Sequence, residues 1–559
     1  MFDLIIRGAL VVDPLNKVNA IKDLAVSEGK IAAVKDEISL PAKKLIEASG
    51  KVLIPGIIDM HTHMRTVLGH KHAQRMIALA GVCTTLDMAG PLEDILTSIP
   101  GSGAGVNIAI LDAARDGQTL TSSRPSQQEQ SDFLDRTLEN GGIGIKLLGG
   151  HFPMDVDISE SFIELANQKK SWIAWHVGST AHGSNIEGFR EAVAAAKDNF
   201  LHIAHINSYC RGQISNETDE ALEAISLLKA HPHIFSESYL SPLNGTRLVV
   251  QNDAPISKVT VTCLKKLGYE PTYNGMKKAI FDGAAGVLVD DGTIGKLLSG
   301  KEGVEYWESK ETKTTGSFKV NPAISRFLIA SAKRADGSFV VDSFSTDGGY
   351  PRNVIVENGL LLVKFGALNL NEYAVKASLN GARALGLKSK GHLSVGADAD
   401  ISILDIQNEK AFATIVEGNV IMLDGQLLGK GTTIICDERG ASTLAKRGIK
   451  HIVKEEFSLK QITDRFILGR PFRTAISWTW VGLSEISSIK EIFMFMRFFF
   501  FRKRIFIIFE EFSFVLARKQ RNLVTLQKAN SCSCRTQITN FPIDPFLLNN
   551  LGNHKRDLT

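Results

Sequence analysis

Val52-Leu53-Ile54-Pro55-Gly56-Ile57-Ile58-Asp59-Met60-His61-Thr62-His63 is an apolar run that ends in two imidazoles two residues apart. The run reads as a buried strand, and alternation along a strand puts His61 and His63 on one face. Two neutral ring nitrogens on one face can grip a metal. A histidine pair at strand spacing also arises as hydrogen-bonded core, so its surroundings decide.

Outward from that run, apolar strand candidates alternate with amphipathic segments. They fall at 52–58, 82–86, 106–111, 143–147, 172–176, 201–205, 234–236 and 339–344. Strands alternating with helices in this way predict an α/β chain with a (β/α)8 barrel over 51–390. The intervals are helix-sized except the last. Between the seventh and eighth candidates lie residues 237–338, too long for a structureless loop, and an inserted subdomain or lid is expected there. Residues 1–50 read as short strands at 4–6, 9–12, 23–26 and 30–34. Residues 391–435 return to strand and turn chemistry around Ile401-Ser402-Ile403-Leu404, closing the β-layer begun at the N-terminus.

The chain has 559 residues, more than one core usually supports, and a net charge of only +4. That balance offers no electrostatic argument for nucleic acid. Met1 leads into Phe2-Asp3-Leu4-Ile5-Ile6 without a basic stretch and long apolar core, so a cytoplasmic location is expected. Cys83, Cys210, Cys263, Cys436, Cys532 and Cys534 form neither a disulfide framework nor a double zinc-binding pair, which suits a reducing compartment. The stretch 473–559 differs in kind, holding 12 of the 29 Phe, 2 of the 48 Gly, and 13 Lys/Arg against 6 Asp/Glu. Its apolar run at 492–509 is cut by Arg497 and Arg502-Lys503-Arg504 before reaching the roughly 18–20 residues a membrane span needs. A surface anchor is one reading; a tail outside the fold, with no membrane role, is the expectation.

Barrels of this type carry reactive groups at the C-terminal ends of their strands. Here those ends hold His61 and His63 (first strand), Lys146 (fourth), His176 (fifth), His205 (sixth) and Asp347 (eighth). Lys146 lies in the apolar Gly142-Ile143-Gly144-Ile145-Lys146-Leu147-Leu148, where an unpaired ammonium is costly to bury. In Leu201-His202-Ile203-Ala204-His205 the two histidines point to opposite faces, and proximity to the strand end selects His205.

These motifs, with Gly144-Ile145-Lys146-Leu147, Trp175-His176-Val177, Ala204-His205-Ile206 and Ser345-Thr346-Asp347-Gly348-Gly349, resemble the amidohydrolase superfamily over about residues 1–435. The likeness is to the branch of dihydroorotases, hydantoinases, isoaspartyl dipeptidases and D-aminoacylases. It implies a small β-sandwich built from both termini beside the barrel. It also implies two divalent ions, zinc by default from nitrogen-rich ligation, with manganese or iron also fitting. His61, His63 and Asp347 would hold the more buried ion and His176 and His205 the second. Lys146 would bridge them as a carbamate formed with CO2. Asp347 would take a proton from the attacking water and deliver it to the leaving nitrogen.

Substrate recognition is expected from Arg65, which directly follows the histidine pair and resembles the carboxylate-binding arginine of dihydroorotases. Tyr209 and Arg211 on the sixth-strand loop are expected to add contacts. His151, five residues after Lys146, is a candidate oxyanion stabiliser. The chain lacks the Asn-Cys-Gly signature of D-aminoacylases near Cys83, and lacks the histidine that commonly follows the aspartate in dihydroorotases. These departures and the long insertion favour a carboxylate-bearing linear N-acyl amino acid, as in N-acyl-D-amino-acid deacylases, or a dipeptide-like amide. A cyclic amide, as in dihydroorotases and hydantoinases, is the alternative. A non-catalytic hydantoinase-like scaffold is opposed by the complete ligand set, and a single-metal deaminase by Lys146. The expected partners are a small-molecule substrate and further copies of the chain in a homo-oligomer.

Overall fold

Two strands occupy the stretch read as one over 52–58. Val52–Pro55 belongs to the β-layer, whereas Ile57–Thr62 starts the barrel. Gly56 makes the switch. Its N–H donates to the Asp400 carbonyl at 2.8 Å, and a Cβ there would meet Cys83 Sγ at 2.7 Å and the Asp400 backbone at 3.0 Å. Only glycine lets the chain pass so close between the two sheets. The computed structural model describes residues 1–468 except 66–67, 292–294, 349 and 351; the tail expected at 473–559 lies outside the described residues.

The barrel strands are β1 (Ile57–Thr62), β2 (Val82–Asp87), β3 (Ala104–Ala114), β4 (Gly144–Leu148), β5 (Trp172–His176), β6 (Leu201–Ile203), β7 (Ile234–Tyr239) and β8 (Ser343–Ser345). Each pairs in parallel with the next. Across the seam between β8 and β1 the joint is made by side chains. Buried Asp59 accepts from the Thr346 N–H at 3.1 Å and its hydroxyl at 2.6 Å. Three of the connecting helices start at side-chain caps: Ser126 accepts from Glu129 N–H, Asn185 from Glu187 N–H and Asn216 from Thr218 N–H.

The eighth strand sits later than the 339–344 expected from the sequence. Val340 and Val341 are buried as irregular chain, with the Val340 N–H on the Ala332 carbonyl at 3.0 Å. The ladder with β7 begins only at Ser343.

Between β7 and β8 a four-stranded sheet (Asn244–Arg247, Ala285–Val289, Lys296–Leu298, Thr315–Phe318) packs with helices such as Tyr273–Phe281 and Gly300–Ser309. Its own apolar core includes Ile280, Val287, Trp307 and Phe318.

The first and last segments share one nine-stranded sheet, in which Val52–Pro55 lies between Phe2–Asp13 and Ile401–Asp405. Phe2–Asp13 replaces the two strands expected at 4–6 and 9–12; its register shifts between Ile6 and Ala9, where Gly8 has φ +69°. Leu4, Ile6, Leu24, Leu53, Ile401 and Ile415 form the core of this layer. Gly431–Cys436 leaves it to pair with the lower half of β3. Beyond it, Arg465 reaches Asp342 Oδ1 at 2.8 Å and the Pro232 carbonyl at 2.7 Å, tying the last described residues to the barrel floor. No helix among the described residues is long and apolar enough to cross a membrane.

Candidate active site

At the mouth of the barrel, β1 delivers His61 and His63, and the turn after β8 delivers Asp347. His61 Nε2 lies 3.2 Å and His63 Nε2 3.6 Å from Asp347 Oδ1. The three donor atoms all fall within 4.8 Å of one another. The turn is strained to achieve this. Asp347 adopts φ +53°, and Gly348 follows at φ +57°, where a Cβ would strike the His63 backbone nitrogen at 2.4 Å. Buried Arg352 fastens the two segments by donating to the carbonyls of His63 and Gly348. Burial would raise the Asp347 pKa, but His61, His63 and Lys146 outweigh it and hold the carboxyl far below its ordinary range.

Lys146, fully inside the mouth on β4, places Nζ 3.1 Å from His61 Nε2 and 3.2 Å from Met88 Sδ. Burial depresses its pKa to about 8, against the opposing pull of Asp347, Glu237 and Asp87. Opposite it, His176 at the end of β5 sets Nδ1 2.9 Å from His205 Nε2, and its Nε2 is 3.0 Å from Ser184 Oγ. His205 lies two residues past β6 at φ +36°, with its ring stacked 5.1 Å from that of His61. Burial holds His61, His176 and His205 well below the ordinary imidazole pKa. The neutral ring is the form that ligates metals.

The donor set fits divalent cations. Imidazole nitrogens and one carboxylate converge, and His205 Nδ1 is buried without a hydrogen-bond partner among the described residues. The structure thus brings together all six residues selected as ligands. His151 stands at the rim, its ring 5.6 Å from that of His176 and its pKa lowered first by burial and then by His63. The Tyr209 hydroxyl accepts from the Val177 N–H at 3.0 Å and its ring lies 5.4 Å from that of His205, so it braces β5 against the sixth-strand loop. Arg211 donates to Asn321 Oδ1 at 2.8 Å, Asn244 Oδ1 at 2.9 Å and the Tyr239 hydroxyl at 3.1 Å. Arg65 is not drawn into the cluster; its side chain is 63% exposed and faces Asp94 at 3.4 Å.

Sequence reasoning missed Glu237 and Arg352. Glu237, fully buried in β7, has Oε1 2.7 Å from His61 Nδ1 and 2.7 Å from the His205 backbone nitrogen. The signal was a carboxylate next to an apolar strand candidate that stops at 236, three residues short of the strand's end. His202, the competitor of His205, accepts from Trp172 Nε1 at 3.3 Å and turns its Nε2 toward Glu237 at 3.8 Å.

The model of the Amidohydrolase family matches residues 52–428. A dihydroorotase of Elusimicrobium minutum is 25% identical over 455 residues, covering 73% of this chain and 89% of that protein. The N-acyl-D-glutamate deacylase of Bordetella bronchiseptica, solved with zinc and a phosphonate inhibitor, superposes with a TM-score of 0.56 at 15% identity, covering 78% of this chain and 99% of that one. The dihydropyrimidinase of Brevibacillus agri gives a TM-score of 0.53 at 15% identity, over 82% and 100% of the two chains. At such identities the structural likenesses speak to the fold.

Proposed function

Since the chain belongs to the amidohydrolase family and is a hydrolase of C–N bonds, we propose that it is a binuclear enzyme acting on a carboxylate-bearing linear N-acyl amino acid or dipeptide-like amide. The observation that carries this reading is the convergence of His61, His63 and Asp347 on one point, with Lys146 Nζ 3.1 Å from His61. His61, His63 and Asp347 would hold one ion and His176 and His205 the other. Lys146 would join them once its neutral amine adds to the carbon of CO2 and gives up a proton, leaving an anionic carbamate with two oxygens. Such ions polarise an amide carbonyl and acidify the attacking water.

The remaining steps belong to the chain. Asp347, ionised and flanked by imidazoles, accepts the proton of the attacking water as the C–O bond forms. It then passes that proton to the nitrogen as the C–N bond breaks, releasing an amine and a carboxylate. His151 at the rim is suited to donate to the carbonyl oxygen. Arg211 supports the choice of an acidic substrate. Its guanidinium is held by three neutral oxygens and makes no carboxylate salt bridge among the described residues, so its charge is available to an anion. Two of those oxygens, on Asn244 and Asn321, come from the insertion, which suits a substrate reaching out from the barrel. A cyclic amide is the second reading, favoured by the likeness to a dihydroorotase over most of that protein's length. A cytoplasmic setting accords with four buried free cysteines, Cys83, Cys210, Cys263 and Cys436.

Metal analysis of protein expressed with bicarbonate tests the centre: about two ions per wild-type chain are expected, with loss in Lys146→Ala. Near-zero metal in folded wild type would overturn the enzyme reading and favour a scaffold. A panel of N-acyl-D- and N-acyl-L-amino acids, hydantoins and dihydroorotate then separates linear from cyclic amides.

A further inference from the structure

We infer that Glu237 is a positioning residue of the metal centre, one buried carboxylate that orients His61 and His205 for ligation. The inference rests on the binuclear reading above and adds to it the group that prepares the ligands.

Glu237 stands on β7, a strand that supplies none of the ligands, yet its two oxygens are met from three other places on the mouth. Oε1 faces His61 Nδ1 and the His205 N–H, each at 2.7 Å. Oε2 receives the hydroxyl of Ser345, two residues before Asp347. The ring of His61 has one hydrogen to place when neutral. With Nδ1–H donated to the carboxylate, Nε2 is left as a lone pair, and Nε2 is the atom 3.2 Å from Asp347 and 3.1 Å from Lys146. The opposite tautomer would point N–H at the place where a cation must sit. A carboxylate on the far nitrogen of a metal-binding imidazole is a general means of fixing that choice.

The bond to His205 acts on the backbone. His205 is at φ +36°, a conformation that side-chain-bearing residues seldom adopt. Its N–H on Glu237 pins that corner and turns the ring toward His176, 2.9 Å away. One side chain thereby reaches a ligand of each proposed ion. A purely structural carboxylate could join strands as well, but it would have no reason to spend its bonds on ligand histidines.

Cobalt binding to metal-free protein, followed by chelator competition and by the visible spectrum of the bound ion, tests the assignment. Glu237→Gln keeps the shape but replaces one acceptor oxygen by an amide nitrogen, and Glu237→Ala removes both oxygens. Cobalt affinity is expected to fall about 10- to 100-fold in Glu237→Gln and further in Glu237→Ala, with an altered spectrum. Thermal melting of the metal-free proteins separates this from loss of fold, and Glu237→Gln carries the test if the alanine variant does not fold. Wild-type affinity and spectrum in a Glu237→Gln protein that merely melts earlier would overturn the inference alone. Wild type that binds no cobalt would overturn the binuclear reading and this inference with it.

Discussion

His61 and His176 both close barrel strands with their rings toward the same mouth, but they are held differently. The His61 side is bound by ionisable groups: Glu237 lies on Nδ1 and Lys146 on Nε2, Asp347 stands 3.2 Å from the same Nε2, and Arg352 clamps the carbonyls of neighbouring His63 and of Gly348. The His176 side is bound by neutral groups: Ser184 lies on one nitrogen and His205 on the other, and His205 Nδ1 has no partner among the described residues. Hydrogen bonds to charged groups are roughly twice as strong as neutral ones and fix geometry more firmly. The first half is therefore prepared before a cation arrives, whereas the second gains its remaining order from the cation.

The largest effect should come from the half that is prepared. Asp347→Asn keeps the size of the side chain and removes its proton affinity, so kcat should fall about 10²- to 10⁴-fold. Steady-state hydrolysis, with metal content measured on the same samples, checks this. A fall confined to metal content would mean that Asp347 serves as a ligand alone and the proton moves elsewhere.

Metal removal addresses the contrast directly. Stepwise dialysis against a chelator should strip the His176/His205 ion first and leave about one ion per chain on His61, His63 and Asp347, with affinities differing by about tenfold or more. His176→Asn should then retain the tight ion, while His61→Asn should lose both. Equal affinity of the two positions would break the comparison.

The bridge between the halves gives a pH dependence. Lys146 has its pKa depressed by burial to about 8, below the ordinary lysine value. Lowering an amine pKa favours the neutral form, which alone adds to CO2. The neutral fraction therefore rises between pH 7 and pH 9. At fixed dissolved CO2, recovery of activity by metal-free enzyme given cobalt should therefore be several-fold faster at pH 9 than at pH 7, about tenfold at most. A rate independent of pH would argue against Lys146 as the bridge.

How far this contrast was legible in the sequence depended on what each feature needs. His61, His63, Lys146, His176 and His205 could be read because strand periodicity and strand ends are local properties. The break at Gly56 could not, since its cause is the approach of Asp400 and Cys83, distant in sequence or on another strand. Glu237 was hidden by a strand that runs on to Tyr239 rather than ending at 236. Arg65 was favoured because it follows the histidine pair, but adjacency does not determine where a side chain leads, and it faces Asp94 instead. The position of Asp347 after the eighth strand could be read, although its left-handed turn, which Gly348 and Arg352 make possible, has no signature of its own in the sequence.

The smallest effect tests whether the neutral half is held as lightly as its contacts suggest. Ser184 touches His176 Nε2 at 3.0 Å through one hydroxyl, and the hydrogen bond joins two neutral groups. The net worth of such a bond is about 1 kcal/mol, which corresponds to about fivefold in affinity or rate. Ser184→Ala should therefore change kcat/KM by no more than about fivefold and leave the order of metal loss unaltered. If it instead cost as much as Glu237→Gln, the His176 side would depend on its neutral anchor as strongly as the His61 side depends on charge. The asymmetry would then lie in the kind of contact and not in how firmly each half is prepared.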